Sequence, residues 1–437
     1  MNNMSGAEDN SQNYYLTTPI YYVNDAPHIG HAYTTLACDV MARFLRLDKV
    51  NVKFLTGTDE HGQKVEKAAQ AAGKAPQDFV NEVSKNFHKL AQAMNFTNDD
   101  FIRTTEPRHK DSIQALWRVL KEKDEIYLDS YAGWYSVRDE TFYGEEELSN
   151  GPGGAKLTPT GAEVEWVEEP SYFFRLSKWR QPLLDFYEQN PNFVLPKTRM
   201  NEVKSFVKGE GHGALRDLSV SRTSFKWGVA VPDDPDHVMY VWIDALANYL
   251  TAVGYPDTKS EEFKTFWPVN LHMVGKDILR FHAVYWPAFL MAAGIEPPKR
   301  VFAHGWWTNE GEKISKSLGN VIDPFELIEH YGLDPVRYFL LREVPFGKDG
   351  DFSRTALVAR MNSELANDFG NLAQRVLSMI HKDCGAQVPQ PEATEEADEA
   401  LMAEAHGLLG VLYPSLRKQA FHEALEEIWV IIRMAKK

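Results

Sequence analysis

Tyr14-Tyr15-Leu16-Thr17-Thr18-Pro19-Ile20-Tyr21-Tyr22-Val23 is an apolar and aromatic run that leads through His28-Ile29-Gly30-His31 into a helical pattern of Leu36, Val40, Met41, Phe44 and Leu45. His28 to His31 therefore sit where a strand turns into a helix. Unpaired amides at a helix N-terminus and the positive end of its dipole attract phosphate, and Gly30 lets a nucleotide approach the backbone closely. Two imidazoles in one turn can donate hydrogen bonds to phosphoryl oxygens as charge develops on them. The other reading of these four residues alone is a helix start at which the histidines only cap or pack.

A second strand-like run, Val52-Lys53-Phe54-Leu55-Thr56, ends in Gly57-Thr58-Asp59-Glu60-His61-Gly62. Apolar segments alternate with amphipathic helices from Tyr14 to Leu120, which predicts a doubly wound parallel sheet with ligands at the carboxyl ends of its strands. Asp59 and His61 fall at such an end. From Glu122 to Pro235 the texture changes to short segments, Gly151-Pro152-Gly153-Gly154 turns and a β-rich piece at Thr141-Phe142-Tyr143, as in an insertion. The parallel-sheet pattern resumes at His237-Val238-Met239-Tyr240-Val241-Trp242-Ile243-Asp244 and at Leu271-His272-Met273-Val274-Gly275-Lys276-Asp277. The expected fold is thus α/β, a doubly wound, Rossmann-like catalytic domain split by an insertion, followed by a C-terminal α-helical bundle.

Asp323-Pro324 to Leu341 reads as a helix pair punctuated by Gly332. From Ser353 onward Leu357, Met361, Leu365, Phe369, Leu372, Val376 and Ile380 recur at spacings of three and four, so an amphipathic helix is expected to pack there. Val388 to Ala400, acidic and proline-containing, reads as a linker. There are no internal repeats. The expected divisions are 1–121 and 236–300 for the two catalytic halves, 122–235 for the insertion, 301–352 for a lysine loop and stem-contact region, and 353–437 for the helical domain.

The chain has 437 residues, 43% of them apolar and 12% aromatic, which suits several folded domains and argues against broad disorder. The formal net charge is -15. Acidic residues crowd into Glu145 to Glu147, Glu163 to Glu169 and Glu392 to Glu404, so a local basic track for nucleic acid is not excluded. Cys38 and Cys384 form no C-x-x-C pair, so neither a zinc knuckle nor a disulfide framework is expected, and both read as buried or inert thiols. Met1 to Gln12 lack the features of a signal peptide and no run reaches membrane-spanning length, which makes a cytoplasmic enzyme the expectation.

Lys313-Ile314-Ser315-Lys316-Ser317 stands between Gly311 and Gly319-Asn320 and reads as a mobile surface loop. Two ammonium groups on such a loop can close over a triphosphate. Paired with His28 to His31, in this order and at this separation, the loop resembles the signature of class I aminoacyl-tRNA synthetases. Pro19 to Asn24, Gly57 to Gly62, Asp217-Leu218-Ser219-Val220-Ser221-Arg222, Tyr240 to Ala245 and Gly275-Lys276-Asp277-Ile278 through His282 narrow the resemblance to the methionyl-tRNA synthetase family, over nearly the whole chain.

The resemblance implies His28, His31, Lys313 and Lys316 as catalytic residues, with Gly30, Gly275, Asp277, His304 and Gly305 joining His28, His31 and Lys316 around ATP and its Mg2+. It implies a methionine pocket of Ile20, Tyr22, Asp59, Trp242, Ala245, Leu246, Tyr249, Ile278, His282 and Trp286. Aromatic and aliphatic walls suit a thioether, and Asp59 would pair with the α-ammonium group. Read without the family, the large aromatics also fit an ordinary core. Asn371 and Arg375 match positions that read an anticodon, which makes tRNA(Met) the expected partner of a chain expected to be monomeric.

Many relatives carry zinc-binding cysteines in the insertion; Tyr135-Ser136-Val137-Arg138-Asp139-Glu140 has none, so the metal-free branch is expected. Isoleucine replaces the commoner methionine at 314, and Glu210-Gly211-His212-Gly213 lengthens a loop. The insertion is too short for a second, hydrolytic site. The family continues past Ile432 to Lys437, so the helical domain is expected to be cut short. Two other classes remain open from sequence: a nucleotidyltransferase with a similar phosphate turn, and a non-catalytic tRNA-binding relative.

Overall fold

The computed structural model describes residues 12–23, 26–139, 141–210, 215–313, 320–390 and 393–436. Asn24, Glu140, Gly211 to Gly213, Ile314 to Ser317 with Lys316 among them, Lys437 and the first eleven residues lie outside the described residues. The chain divides into two compact units, one of Met1–Ala26, Cys38–Lys89 and Thr97–Ala303, the other of Pro27–Ala37, Leu90–Phe96 and His304–Lys437.

The first unit is built on the expected parallel sheet. Asn13–Thr17 pairs in parallel with Asn51–Asp59 on one side and Leu271–Gly275 on the other. The sheet continues through Val301–His304 to Val194–Leu195 at one end and to Tyr21–Tyr22 at the other, with Asp100–Arg103 also on Asn51–Asp59. Tyr15, Leu16, Phe54 and Leu55 are fully buried, as central strands covered on both faces require. Gly57 lies opposite Ile102, and a Cβ there would stand 2.1 Å from the Ile102 carbonyl oxygen, so only glycine lets these strands close up.

Three expectations about this unit need correction. The 122–235 stretch is not made only of short pieces: Ile126–Ser136 and Glu163–Phe174 form a long antiparallel pair. Exposed Glu163, Glu165 and Glu168 interrupt the apolar pattern that marks such a strand. Within the same stretch Val194–Leu195 belongs to the large parallel sheet, paired with Val301 and Phe302. The run His237 to Asp244 does not resume that sheet either. Asp234–Met239 is antiparallel to Ser221–Arg222 and Ala230–Val231, and Val241–Leu246 is a helix begun by the Asp244 N–H donating to the Tyr240 carbonyl at 3.2 Å. An apolar run of this length carries no period that separates strand from buried helix.

In the second unit Trp307–Asn309 pairs in parallel with Gly350–Phe352 and forms a hairpin with Glu312–Lys313. Pro324–Tyr331 and Leu333–Arg342 are the expected helix pair. Asp323 caps the first by accepting from the Phe325 N–H at 2.7 Å, and Gly332 breaks the two at φ 84°. Arg354–Arg360 runs through a wide-turn segment, Met361–Gly370, into Asn371–Asp383, and Glu396–Arg417 and Phe421–Ala435 follow.

The linker expected over Val388 to Ala400 ends early, because the Glu395 N–H donates to the Asp398 carboxylate at 3.0 Å and starts a helix at Glu396. The apolar stripe is only partly packed: Leu357 is buried, whereas Phe369 and Val376 are exposed and Asn371–Asp383 buries no residue. Cys38 is buried, and Cys384 is exposed. Among the described residues no helix is long and apolar enough to cross a membrane.

Candidate active site

The helix Ile29–Leu47 begins directly after His28, and its first turn lies in the second unit. The His28 N–H donates to His31 Nδ1 at 3.0 Å, and the Gly30 N–H donates to His28 Nδ1 at 3.1 Å. The two rings stack with centroids 3.9 Å apart. Because each Nδ1 accepts a main-chain proton, the ring proton is assigned to Nε2 in both, leaving two Nε2–H donors. Burial, and then the neighbouring His28, hold the His31 imidazole well below its ordinary range, so it acts as a neutral donor.

The Ile29 N–H donates to the Ile322 carbonyl at 3.1 Å, and Asn309 Nδ2 donates to the Asn320 carbonyl at 2.9 Å. The start of the helix and the chain on both sides of the lysine loop are therefore parts of one unit. Lys313 lies in the short strand opposite Thr308. Thr34 Oγ1 stands 2.7 Å from His304 Nε2 and 3.0 Å from the Gly30 carbonyl, and His304 Nδ1 stands 2.8 Å from the Gly305 carbonyl. At Gly305 a Cβ would lie 2.3 Å from the Lys348 carbonyl group, so this close approach requires glycine.

The residues expected to hold an amino acid lie in the first unit. Asp59 is 5% exposed at the end of its strand. Tyr22 donates its hydroxyl to the His61 carbonyl at 2.8 Å. Trp242 stacks on Phe281 at 3.5 Å with the planes 9° apart, and Ala245 and Leu246 follow it on the same short helix. Ile20 and Ile278 are half-buried against the main core. Trp286 is fully buried, its ring 6.1 Å from that of Tyr249.

His282 Nδ1 donates to the Ile278 carbonyl at 3.0 Å, which leaves Nε2 to accept the Tyr249 hydroxyl proton at 2.7 Å. Burial pushes His282 down to about 4, and burial with the nearby His282 pushes His272 well below the ordinary histidine value. Burial also raises the Tyr249 phenol, so this cluster is uncharged at neutral pH. Gly275 ends its strand, and Asp277 is exposed in the turn Lys276–Ile278.

Sequence reasoning passed over several residues of this region. Thr17 Oγ1 lies 2.8 Å from His272 Nδ1. Asp244 accepts from His61 and His109. Asp244 and His61 lay within quoted stretches, but their pairing spans 183 residues and leaves no local signal. Asn371 starts its helix and Arg375 is exposed one turn on, two positions that share a face.

A family model described as tRNA synthetases class I (M) matches residues 14–377. The chain belongs to the methionyl-tRNA synthetase family. The methionine--tRNA ligase of Brucella suis biovar 1 is 55% identical over 426 residues, covering 98% of this chain and 82% of the relative. That of Rickettsia bellii is 62% identical over 376 residues, covering 86% of this chain and 72% of the relative. Among solved structures, Mycobacterium tuberculosis methionyl-tRNA synthetase in complex with methionyl-adenylate matches with a TM-score of 0.95 and 55% identity, over 97% of this chain and 82% of that one.

The stretch that the family resemblance sets against a zinc knuckle is Tyr135 to Glu140. Here Asp139 knits the corresponding turn by accepting from Thr160 Oγ1 at 2.7 Å, Tyr143 Oη at 3.0 Å and Thr158 Oγ1 at 3.1 Å. Among the described residues no group of three or more His, Cys, Asp or Glu is arranged to hold a metal ion.

Proposed function

We propose that the chain performs ATP-dependent activation of L-methionine to methionyl-adenylate, followed by transfer to the 3′ end of tRNA(Met), through two sets of residues. The methionine carboxylate attacks the α-phosphorus of Mg-ATP in line and pyrophosphate departs. The protein contributes positioning and charge stabilisation. His28 and His31 donate Nε2–H groups to phosphoryl oxygens, Lys316 neutralises charge on them with help from Lys313, and Gly30, Gly275, Asp277, His304 and Gly305 border the nucleotide. The observation that carries this reading is the pair of main-chain bonds that aim both Nε2–H donors from one helix start.

Asp59 pairs with the α-ammonium group, and Ile20, Tyr22, Trp242, Ala245, Leu246, Tyr249, Ile278, His282 and Trp286 enclose the thioether. A neutral His282 and Tyr249 suit that uncharged side chain, since a fixed charge beside it would stay desolvated without a partner. Asn371 and Arg375 contact the anticodon. The enzyme works as a cytoplasmic monomer without zinc. The deciding experiment is pyrophosphate exchange run with each amino acid in turn: exchange with methionine alone supports the reading, and exchange with none, or with another amino acid preferred, overturns it.

A further inference from the structure

Asp244 is fully buried, and each of its carboxylate oxygens serves a different imidazole: Oδ2 accepts from His61 Nδ1 at 2.7 Å and Oδ1 accepts from His109 Nε2 at 2.8 Å. His61 is 2% exposed and His109 is fully buried. The carboxylate has no proton of its own to give, so the shared protons sit on His61 Nδ1 and His109 Nε2. His109 Nδ1 in turn stands 3.2 Å from Thr251 Oγ1. A buried carboxylate is costly unless its hydrogen bonds are met, and here they join three separate stretches of chain.

Two of those stretches carry residues of the proposed methionine site. Asp244 shares its short helix with Trp242, Ala245 and Leu246. His61 lies two residues beyond Asp59, and its carbonyl takes the Tyr22 hydroxyl. His109 stands in the first turn of the helix Pro107–Glu122 and braces the carboxylate from a third side.

We propose that Asp244 is a positioning residue, supported by His61 and His109, that fixes how far the ammonium anchor on Asp59 stands from the walls that enclose the side chain. It thereby selects side-chain length. The proposal rests on the methionine-activating reading. Wild-type exchange with methionine checks that reading first, so its failure is distinct from the failure of the role given to Asp244.

The test compares Asp244→Asn and Asp244→Ala with wild type in pyrophosphate exchange, using methionine and its one-methylene-longer analogue ethionine. The kcat/KM ratio of the two amino acids does not depend on how much enzyme is folded, so a purely structural role leaves it unchanged. The expected result is a methionine KM raised at least tenfold on Asp244→Ala, an ATP KM within about twofold of wild type, and a methionine to ethionine preference reduced at least fivefold. Asp244→Asn keeps an acceptor for one imidazole and should fall between. If Asp244→Ala does not fold, His61 carries the test. Asparagine there keeps a donor near the Nδ1 position and should hold the preference near the wild-type value, while His61→Leu should lower it. An unchanged ratio in the folded variants, or methionine and ATP KM values rising together, overturns the proposal.

Discussion

Acid should weaken the first unit through His282. In the folded chain Nε2 of this ring accepts the Tyr249 hydroxyl proton and Nδ1 donates to the Ile278 carbonyl, so an added proton has no acceptor without breaking one of these bonds. Burial therefore brings the group down to about 4 from an ordinary value of 6.5, against smaller upward pushes from the Ile278 carbonyl and Asp277. Between those values the unfolded chain binds the proton and the folded chain does not, so this contribution to stability is intact above the unfolded value and is lost as pH falls towards the folded one. At 1.36 kcal/mol for each unit, the full loss is roughly 3 kcal/mol, and about 2–3 kcal/mol of it has gone by pH ~4.5. Urea unfolding followed by tryptophan fluorescence at pH ~7.5 and ~4.5 measures this when wild type is compared with His282→Gln, whose amide does not titrate. Wild type should lose roughly 2–3 kcal/mol more than the variant between the two conditions. Equal losses would refute the assignment of a neutral, doubly bonded ring.

Other outcomes follow from the same geometry. Gly57→Ala forces a Cβ to within 2.1 Å of a carbonyl oxygen in a paired strand, where neither side can yield, and should cost about 3 kcal/mol, read as a melting temperature lower by roughly 5 °C; an unchanged melt would contradict the close approach. Asp59→Ala should raise the methionine KM at least tenfold with little change for ATP, and an unaltered KM removes it from the pocket. Lys316→Ala should slow exchange strongly while leaving methionine affinity nearly as it was; normal exchange counts against the loop. Exchange in the presence of Mg2+ and a zinc-selective chelator should continue at the wild-type rate, and a loss of activity would show that a zinc site is needed.

Much of the first unit was readable because its strands are buried on both faces and so appear as unbroken apolar runs, as at Phe54-Leu55 and Met273-Val274. What escaped were features whose cause lies far along the chain. Val194–Leu195 is two residues long and is a strand only because Val301 and Phe302 lie beside it. Tyr240 to Ile243 looked like a strand because helix and strand are equally apolar when fully buried. The stripe through Phe369 and Val376 told which face of the helix is apolar, but periodicity does not say whether anything covers that face. The candidate phosphate and amino-acid residues were named from motif and family likeness. The tautomers, the neutral His282 and the Asp244 struts needed coordinates, since each depends on which nitrogen meets which partner.

The two main-chain bonds within His28 to His31 imply that the working unit is a piece of backbone rather than a pair of side chains. A solvent-exposed imidazole samples both neutral forms, and half-correct protonation would weaken any contact to an anion. Here the peptide amides make that choice beforehand, without any help from the substrate. Histidines transplanted onto an ordinary helix at the same spacing, without those two amides aimed at Nδ1, would give a mixture of donors and acceptors, and so a graft of this turn has to carry its φ/ψ angles along with its residues.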